Sequence, residues 1–308
     1  MLKFFLRRLC FMILTLWVIC TLSFFFMKAI PGTPFEEDKI PPAVLENMKA
    51  KYGLDKPIPE QYAIYLSNVV QLDFGVSYRI KNREVTTIIA EKIGPSAAIG
   101  LQAVALSIPF GILLGIIAAI WRNTLIDYLA VGIAVFGFAI PSFVAAVLLQ
   151  YVVAGKLELL PIAQFESYKH TILPSLAIAL GGFAYYTRMM RSELLEVLGQ
   201  DYIKTAKSKG LSQPLVLMRH GLRNAMIPLI TSLPVVIIFS MTGSLVVEEI
   251  FAIPGIGKEL VTSVITRDYT VTMGLTLFYA ILYIISLFIV DLLYSIVDPR
   301  IRIIGGTE

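Results

Sequence analysis

The chain has 308 residues, of which 57% are hydrophobic and 16% charged, and its mean hydropathy is +0.77. That composition excludes an ordinary soluble domain, and long uncharged runs mark an all-α polytopic membrane protein. The net charge of +4 is modest, and no basic patch interleaved with aromatics lies outside the loops, so a nucleic-acid partner is set aside.

Residues 1–8 are short and basic, with Lys3, Arg7 and Arg8. Residues 9–30 follow as an apolar run closed by Pro31 and Gly32, and at 1.5 Å per residue they reach about 33 Å, enough to cross a bilayer. The run is longer than a signal-peptide core and lacks a small-residue cleavage site, so residues 1–30 read as a retained first span. Cys10 and Cys20 lie in this one helix, ten residues apart, where they cannot meet, and no metal-ligand spacing is present.

Residues 31–95 form a long polar segment with three amphipathic pieces. Val44, Leu45, Met48 and Tyr52 share one helical face ahead of Gly53, and Tyr62, Tyr65, Val69 and Leu72 share another. Val85, Ile88, Ile89 and Ile93 make the third. The periodicity predicts a small helical domain on the membrane surface.

Five further spans are expected at about 96–121, 125–153, 171–190, 226–248 and 271–296, giving six transmembrane helices and a five-helix core at 96–296. The span at 171–190 is short and carries Gly181 and Gly182. Prolines 109, 141, 174, 228 and 234 fall in or beside the spans, where neighbouring helices re-satisfy the freed carbonyls. Gly111 and Gly115, four apart, predict close helix packing.

Residues 201–228, within a polar loop at 191–226, are too polar for a bilayer core yet carry two helical patterns. The first is expected to open at Asp201 as N-cap and to stop at Gly210. The second can open at Ser212, with Pro214 in its first turn. Together they make a compact knob bearing Lys204, Lys207, Lys209, Arg219 and Arg223 against Asp201. With both termini cytoplasmic, the inner segments hold thirteen Lys or Arg residues and the two short outer loops hold four: Lys156, Lys169, Lys258 and Arg267. The tail at 297–308 and the knob are then cytoplasmic. A basic inner loop is also what any membrane protein shows.

One pattern is more specific. Lys204, Thr205 and Ala206, then three residues and Gly210, resemble the Glu-Ala-Ala, three residues, Gly loop of ABC-importer permeases, from which Lys204 and Thr205 depart. The runs YIKTAKSKGL and RHGLRNAMIP are similar to the form found in the peptide and nickel importer permeases. YGLDKPIPEQYAIYL, DFGVSYR, EEIFAIPGIGKELVTSVITRDYTVTMG and VDPRI resemble the same family, in order, over nearly the whole chain. The resemblance implies a type I ABC importer permease fold in a bacterial plasma membrane, with a small helical extracytoplasmic insertion. It implies a coupling interface at Lys204, Thr205, Ala206, Gly210, Leu211 and Ser212 that seats in an ATPase subunit. Small Ala206 and Gly210 would let that surface approach the backbone. Also implied are a second homologous permease, two cytoplasmic ATPases, an extracytoplasmic binding protein, a peptide cargo and contact with membrane lipid.

No Gly-x-x-x-x-Gly-Lys-Ser/Thr run is present, so no cofactor is expected in this chain. ATP and Mg would be bound by the partner ATPases, and the subunit itself is expected to be no enzyme. Catalytic residues and metal ligands are not expected. His170 and His220 fall on opposite sides of the membrane. Asp291, in the last span, is a candidate functional acid or a structural partner near the interface. Gln102, Ser142 and Gln150 could line a passage or bridge helices. Glu248, Glu249, Lys258, Glu259, Arg267 and Asp268 decorate the last outer loop, where a binding protein would dock. Nickel or another small cargo is the alternative within the family. A stand-alone channel or ion-coupled carrier is the alternative outside it, and it would need no helix-Gly-helix knob.

Overall fold

The computed structural model describes residues 2–29 and 53–297, with Glu46 and Ala50 between them. The helix expected near 42–52, the VDPRI motif and most of the tail lie outside the described residues. The described chain is helical, with one isolated antiparallel bridge between Val76 and Glu84. It divides into two compact units, Met1–Gly94 with Gly255–Ile285, and Pro95–Pro254 with Ser286–Glu308.

In the first unit, α1 (Leu2–Ala29) exposes Leu9, Phe11, Ile13, Trp17 and Phe26, as an apolar helix does when its solvent is lipid. Cys10 is exposed and Cys20 buried. Helix α2 (Ile58–Val70) starts after Pro57 and packs Tyr62 and Tyr65 on Phe24, with ring centroids 5.4 and 5.6 Å away. Thr21 Oγ1 and Tyr62 Oη meet at 2.6 Å. Leu72 does not continue that face. The helix ends at Val70, and Leu72 turns to φ +58° and is exposed.

The third amphipathic piece is not separate from the span after it. Helix α3 (Val85–Ile120) runs 36 residues through Pro95 and Pro109. Its first turns bury Val85, Ile88 and Ile89 against Ile256, Val271 and Leu275.

In the second unit, the span expected at 125–153 is two helices, α4 (Leu125–Ala139) and α5 (Ser142–Leu149). The helical segments Leu125–Ala139 and Ser142–Lys156 are bent by 94°. The cause is local: Pro141 disfavours helical backbone at the residue before it, and Ile140 is extended at ψ 116°. A π-helical turn, Gln150–Lys156, continues α5.

Helix α6 (Lys169–Leu198) has 30 residues, eight beyond the expected end. Helices α7 (Asp201–Ser208) and α8 (Gln213–Val216) form the knob. A π-helical turn, Leu217–Leu222, joins α8 to α9 (Arg223–Met241), so the second knob helix and the next span are one continuous run. Short α10 (Leu245–Ile250) follows in this unit; α11 (Ile256–Ile265) lies in the first unit, and α12 (Tyr269–Val297) closes the described chain.

Among the described residues, four helical segments are long and apolar enough to cross a membrane, or five if the bent pair counts as one span. Helix α6 is long enough, but Arg188, Arg191, Glu193 and Glu196 make its second half polar.

Glycines set close crossings in the second unit. A Cβ at Gly111 would stand 2.8 Å from Tyr186 Cβ, and one at Gly115 would stand 2.6 Å from the Thr187 carbonyl oxygen. The predicted small-residue seam is therefore the α3–α6 contact. Around it Tyr186, Met190 and Leu194 of α6 pack with Ala119, Ala225 and Leu229. A second core gathers Ile99, Ala145, Ala146, Leu173, Ala177, Val247 and Phe251.

Candidate functional site

The knob folds on its own small core. Ile203, Ala206 and Val216 are buried at 0%, 6% and 1% exposure, with Leu198 and Leu211 against them. Helix α7 ends in a two-bond C-cap. The Gly210 N–H donates to the Lys207 carbonyl at 2.9 Å, and the Leu211 N–H donates to the Ala206 carbonyl at 3.4 Å. That closure needs a left-handed residue, and Gly210 supplies it at φ +80°. At the other end Gln200, not Asp201, holds the N-cap position, and no side chain caps the helix. Asp201 is instead the first helical residue, where its charge suits the macrodipole. Pro214 sits in the first turn of α8 as expected.

The six candidate interface residues divide by environment. Lys204, Thr205, Gly210 and Ser212 are exposed, Leu211 is half-buried, and Ala206 faces inward. Ala206 is thus small because it packs between helices of the knob. Open space surrounds the position where a Cβ at Gly210 would stand. Lys204 Nζ bonds Asp201 Oδ1 at 2.8 Å, but both side chains are mostly in solvent, so the pair adds little stability. Exposed Tyr202, Leu215 and Met218 give the basic knob an apolar component that the charge count had concealed.

Leu198 packs against both the knob core and the α6–α9 core, and a Cβ on Gly221 would lie 3.4 Å from Leu194. Asn224 Nδ2 donates to Tyr202 Oη at 3.0 Å. One turn back along α6 stands a pair that sequence reasoning missed. Arg191 donates through Nε and Nη2 to both oxygens of Asp127, each at 2.7 Å, and the Asn123 N–H adds a third bond at 2.9 Å. The Asp127 side chain is only 2% exposed. The signal was an acid in an otherwise apolar run.

The polar residues of the spans act as bridges. Gln150 Nε2 donates to the Ile162 and Ile250 carbonyls at 2.8 and 3.2 Å. Gln102 joins Tyr168 Oη and Ser175 Oγ, both at 3.0 Å. Ser142 opens α5 immediately after the bend. Asp291 lies half-buried in α12. Two acids expected to decorate the outer loop are buried instead. Glu248 is 1% exposed and accepts from Ser96 Oγ at 2.6 Å. Asp268 is 3% exposed and accepts from Ser77 Oγ and from the Tyr78 N–H at 3.1 Å. Glu249 and Arg267 remain exposed, and Lys258 and Glu259 are half-exposed.

Comparison with known proteins matches residues 111–303 to the binding-protein-dependent transport system inner membrane component family, and residues 1–94 to the N-terminal domain of such membrane components. The dipeptide transport system permease protein DppB of Bacillus subtilis (strain 168) is 43% identical over 304 residues, covering 98% of this chain and 99% of the relative. The oligopeptide transport system permease protein OppB of Salmonella typhimurium is 40% identical over 305 residues, covering 98% and 100%. Among solved structures, one described as an amino acid ABC transporter with histidines matches with TM-score 0.51 at 15% identity, covering 70% of this chain and 94% of that one. That likeness concerns the fold alone, which is the type I ABC permease fold. The chain belongs to the family of inner membrane components of binding-protein-dependent transport systems.

Proposed function

We propose that this chain is the translocation-pathway subunit of an ATP-driven importer of dipeptides or oligopeptides. The observation that carries the reading is end-to-end likeness, at about two residues in five, to permeases of dipeptide and of oligopeptide transport systems. The cargo assignment rests on those relatives, because the knob faces the motor and not the cargo.

The working assembly pairs this chain with a second, similar permease. Two cytoplasmic ATPase subunits bind and hydrolyse ATP with Mg, and an extracytoplasmic binding protein delivers peptide. The termini and the knob are placed in the cytoplasm in this reading, which the Lys and Arg distribution supports. Lys204, Thr205, Gly210 and Ser212 form the face presented to the ATPase, and Ala206 and Leu211 hold that face in shape from behind. ATP-driven closure of the ATPases then moves the knob, and with it α6 and α9, between outward-open and inward-open states.

The test is uptake of a labelled dipeptide, a labelled longer peptide and nickel by cells with and without the chain. Loss of peptide uptake alone supports the reading. Loss of nickel uptake alone keeps the architecture and replaces the cargo. If the purified chain comes out with no ATPase subunit, the importer reading itself fails.

A further inference from the structure

The Asp127–Arg191 pair joins the helix that carries the knob to the helix that leads into the bend, and nothing in the assignment above uses it. We infer that this pair is the mechanical joint through which knob movement reaches the bent helices α4 and α5. The inference rests on the importer reading, and it concerns coupling, not cargo.

Three observations carry it. First, residues 191–198 of α6 contain no glycine or proline, so this stretch is a stiff rod. Its far end, at Leu194 and Leu198, is packed into the knob and the foot of α9. Movement of the knob therefore moves Arg191.

Second, the pair fixes orientation as well as distance. Two parallel N–H to oxygen bonds of 2.7 Å hold the guanidinium in the carboxylate plane. Asp127 is buried, so parting it from Arg191 would strip the carboxylate of its bidentate partner and leave it only the Asn123 N–H bond and the charge of nearby Arg122, which is costly. The start of α4 must then follow α6.

Third, α4 ends at a break able to absorb the movement. Ile140 and Pro141 are both extended, at ψ 116° and 140°, between two regular helices. A few non-helical residues between rigid helices are where hinge rotation is taken up. Asp127 and Arg191 are positioning residues, and neither is assigned contact with cargo or ATP.

The experiment uses the complete importer in proteoliposomes, with its binding protein and ATPases, and reads labelled dipeptide taken up per ATP hydrolysed. Asp127→Asn and Arg191→Gln should each lower that ratio about fivefold or more, with ATPase subunits still bound. An unchanged ratio in either assembled variant overturns the joint. A second measurement covers variants that assemble poorly. In a chain with Cys10 and Cys20 changed to serine, Asp127→Cys and Arg191→Cys are combined and bridged with a short bis-maleimide. Bridging should raise the ratio back toward the parent value. No recovery on bridging, or loss of assembly in every one of these chains, makes the pair a folding element and overturns the proposal. A wild-type complex that hydrolyses ATP without peptide uptake sinks the cargo assignment instead, and the same ratio is then read with nickel.

Discussion

The Leu211 main-chain N–H reaches back over Gly210 to the Ala206 carbonyl, so the two small residues of the motif are parts of one helix cap. Gly210 stands at φ +80°, a region where a side chain costs about 1–2 kcal/mol, and where asparagine is the best-tolerated alternative. Gly210→Asn should keep most ATPase co-purification with the permease, and Gly210→Val should lose most of it. Equal retention by the valine chain would refute the cap as the reason for glycine.

Ala206 and Lys204 separate shape from surface. Ala206 is 6% exposed against Ile203 and Val216, so Ala206→Leu overpacks the knob at about 1–3 kcal/mol and should open it to limited proteolysis. Lys204 is exposed, so Lys204→Glu should leave knob proteolysis as it is, with a stability change within about 0.5 kcal/mol. Weaker ATPase retention in the Lys204→Glu chain then reports the interface alone. Retention equal to the parent chain removes Lys204 from it.

How much of this was legible in sequence depends on the range of the interaction. The cap glycine, Pro214 in its turn and the Gly111–Gly115 seam are set by neighbours within a few residues or by the lack of a side chain, and they read correctly. The inward face of Ala206 depends on Val216, ten positions away, across the turn. Asp127 was diluted in an apolar window, and its partner lies 64 residues on. Pro141 was visible as a proline in a span, but spans tolerate kinks of any size, so the 94° bend was not. Glu248 and Asp268 looked like loop decoration because burial is a tertiary property that a short polar stretch does not announce.

The glycines of α3 and α4 predict opposite outcomes for one substitution. A Cβ at Gly115 would meet the Thr187 carbonyl oxygen at 2.6 Å, so Gly115→Ala must part α3 from α6. Gly132 has open space there, so Gly132→Ala brings only the helix-propensity gain of about 1 kcal/mol. In detergent the Gly115→Ala protein should melt several degrees below the parent and the Gly132→Ala protein at or above it. The reverse order would contradict the assigned seam.

Asp268 predicts a local loss in the first unit. Its carboxylate accepts from Ser77 Oγ, from the Tyr78 N–H at 3.1 Å and from the Val271 N–H at 3.4 Å, so it ties the 77–80 turn to the first turn of α12. Asp268→Asn turns one acceptor oxygen into a donor amide facing donors, and each buried group left unsatisfied costs about 1–3 kcal/mol. Ser77→Ala removes that donor and also the Oγ that accepts from the Arg79 and Ile80 N–H groups at 3.1 and 2.8 Å, so it opens the 77–80 turn but leaves the Asp268 bonds to the Tyr78 and Val271 N–H groups in place. Hydrogen exchange decides between this tie and a surface role. Amides at 78 and 271 should lose protection in Asp268→Asn, whereas Ser77→Ala should expose 79 and 80 and spare 271, with the α3–α6 seam unchanged in both. Unaltered protection in the Asp268→Asn chain would leave the residue available as a docking group on the outer loop.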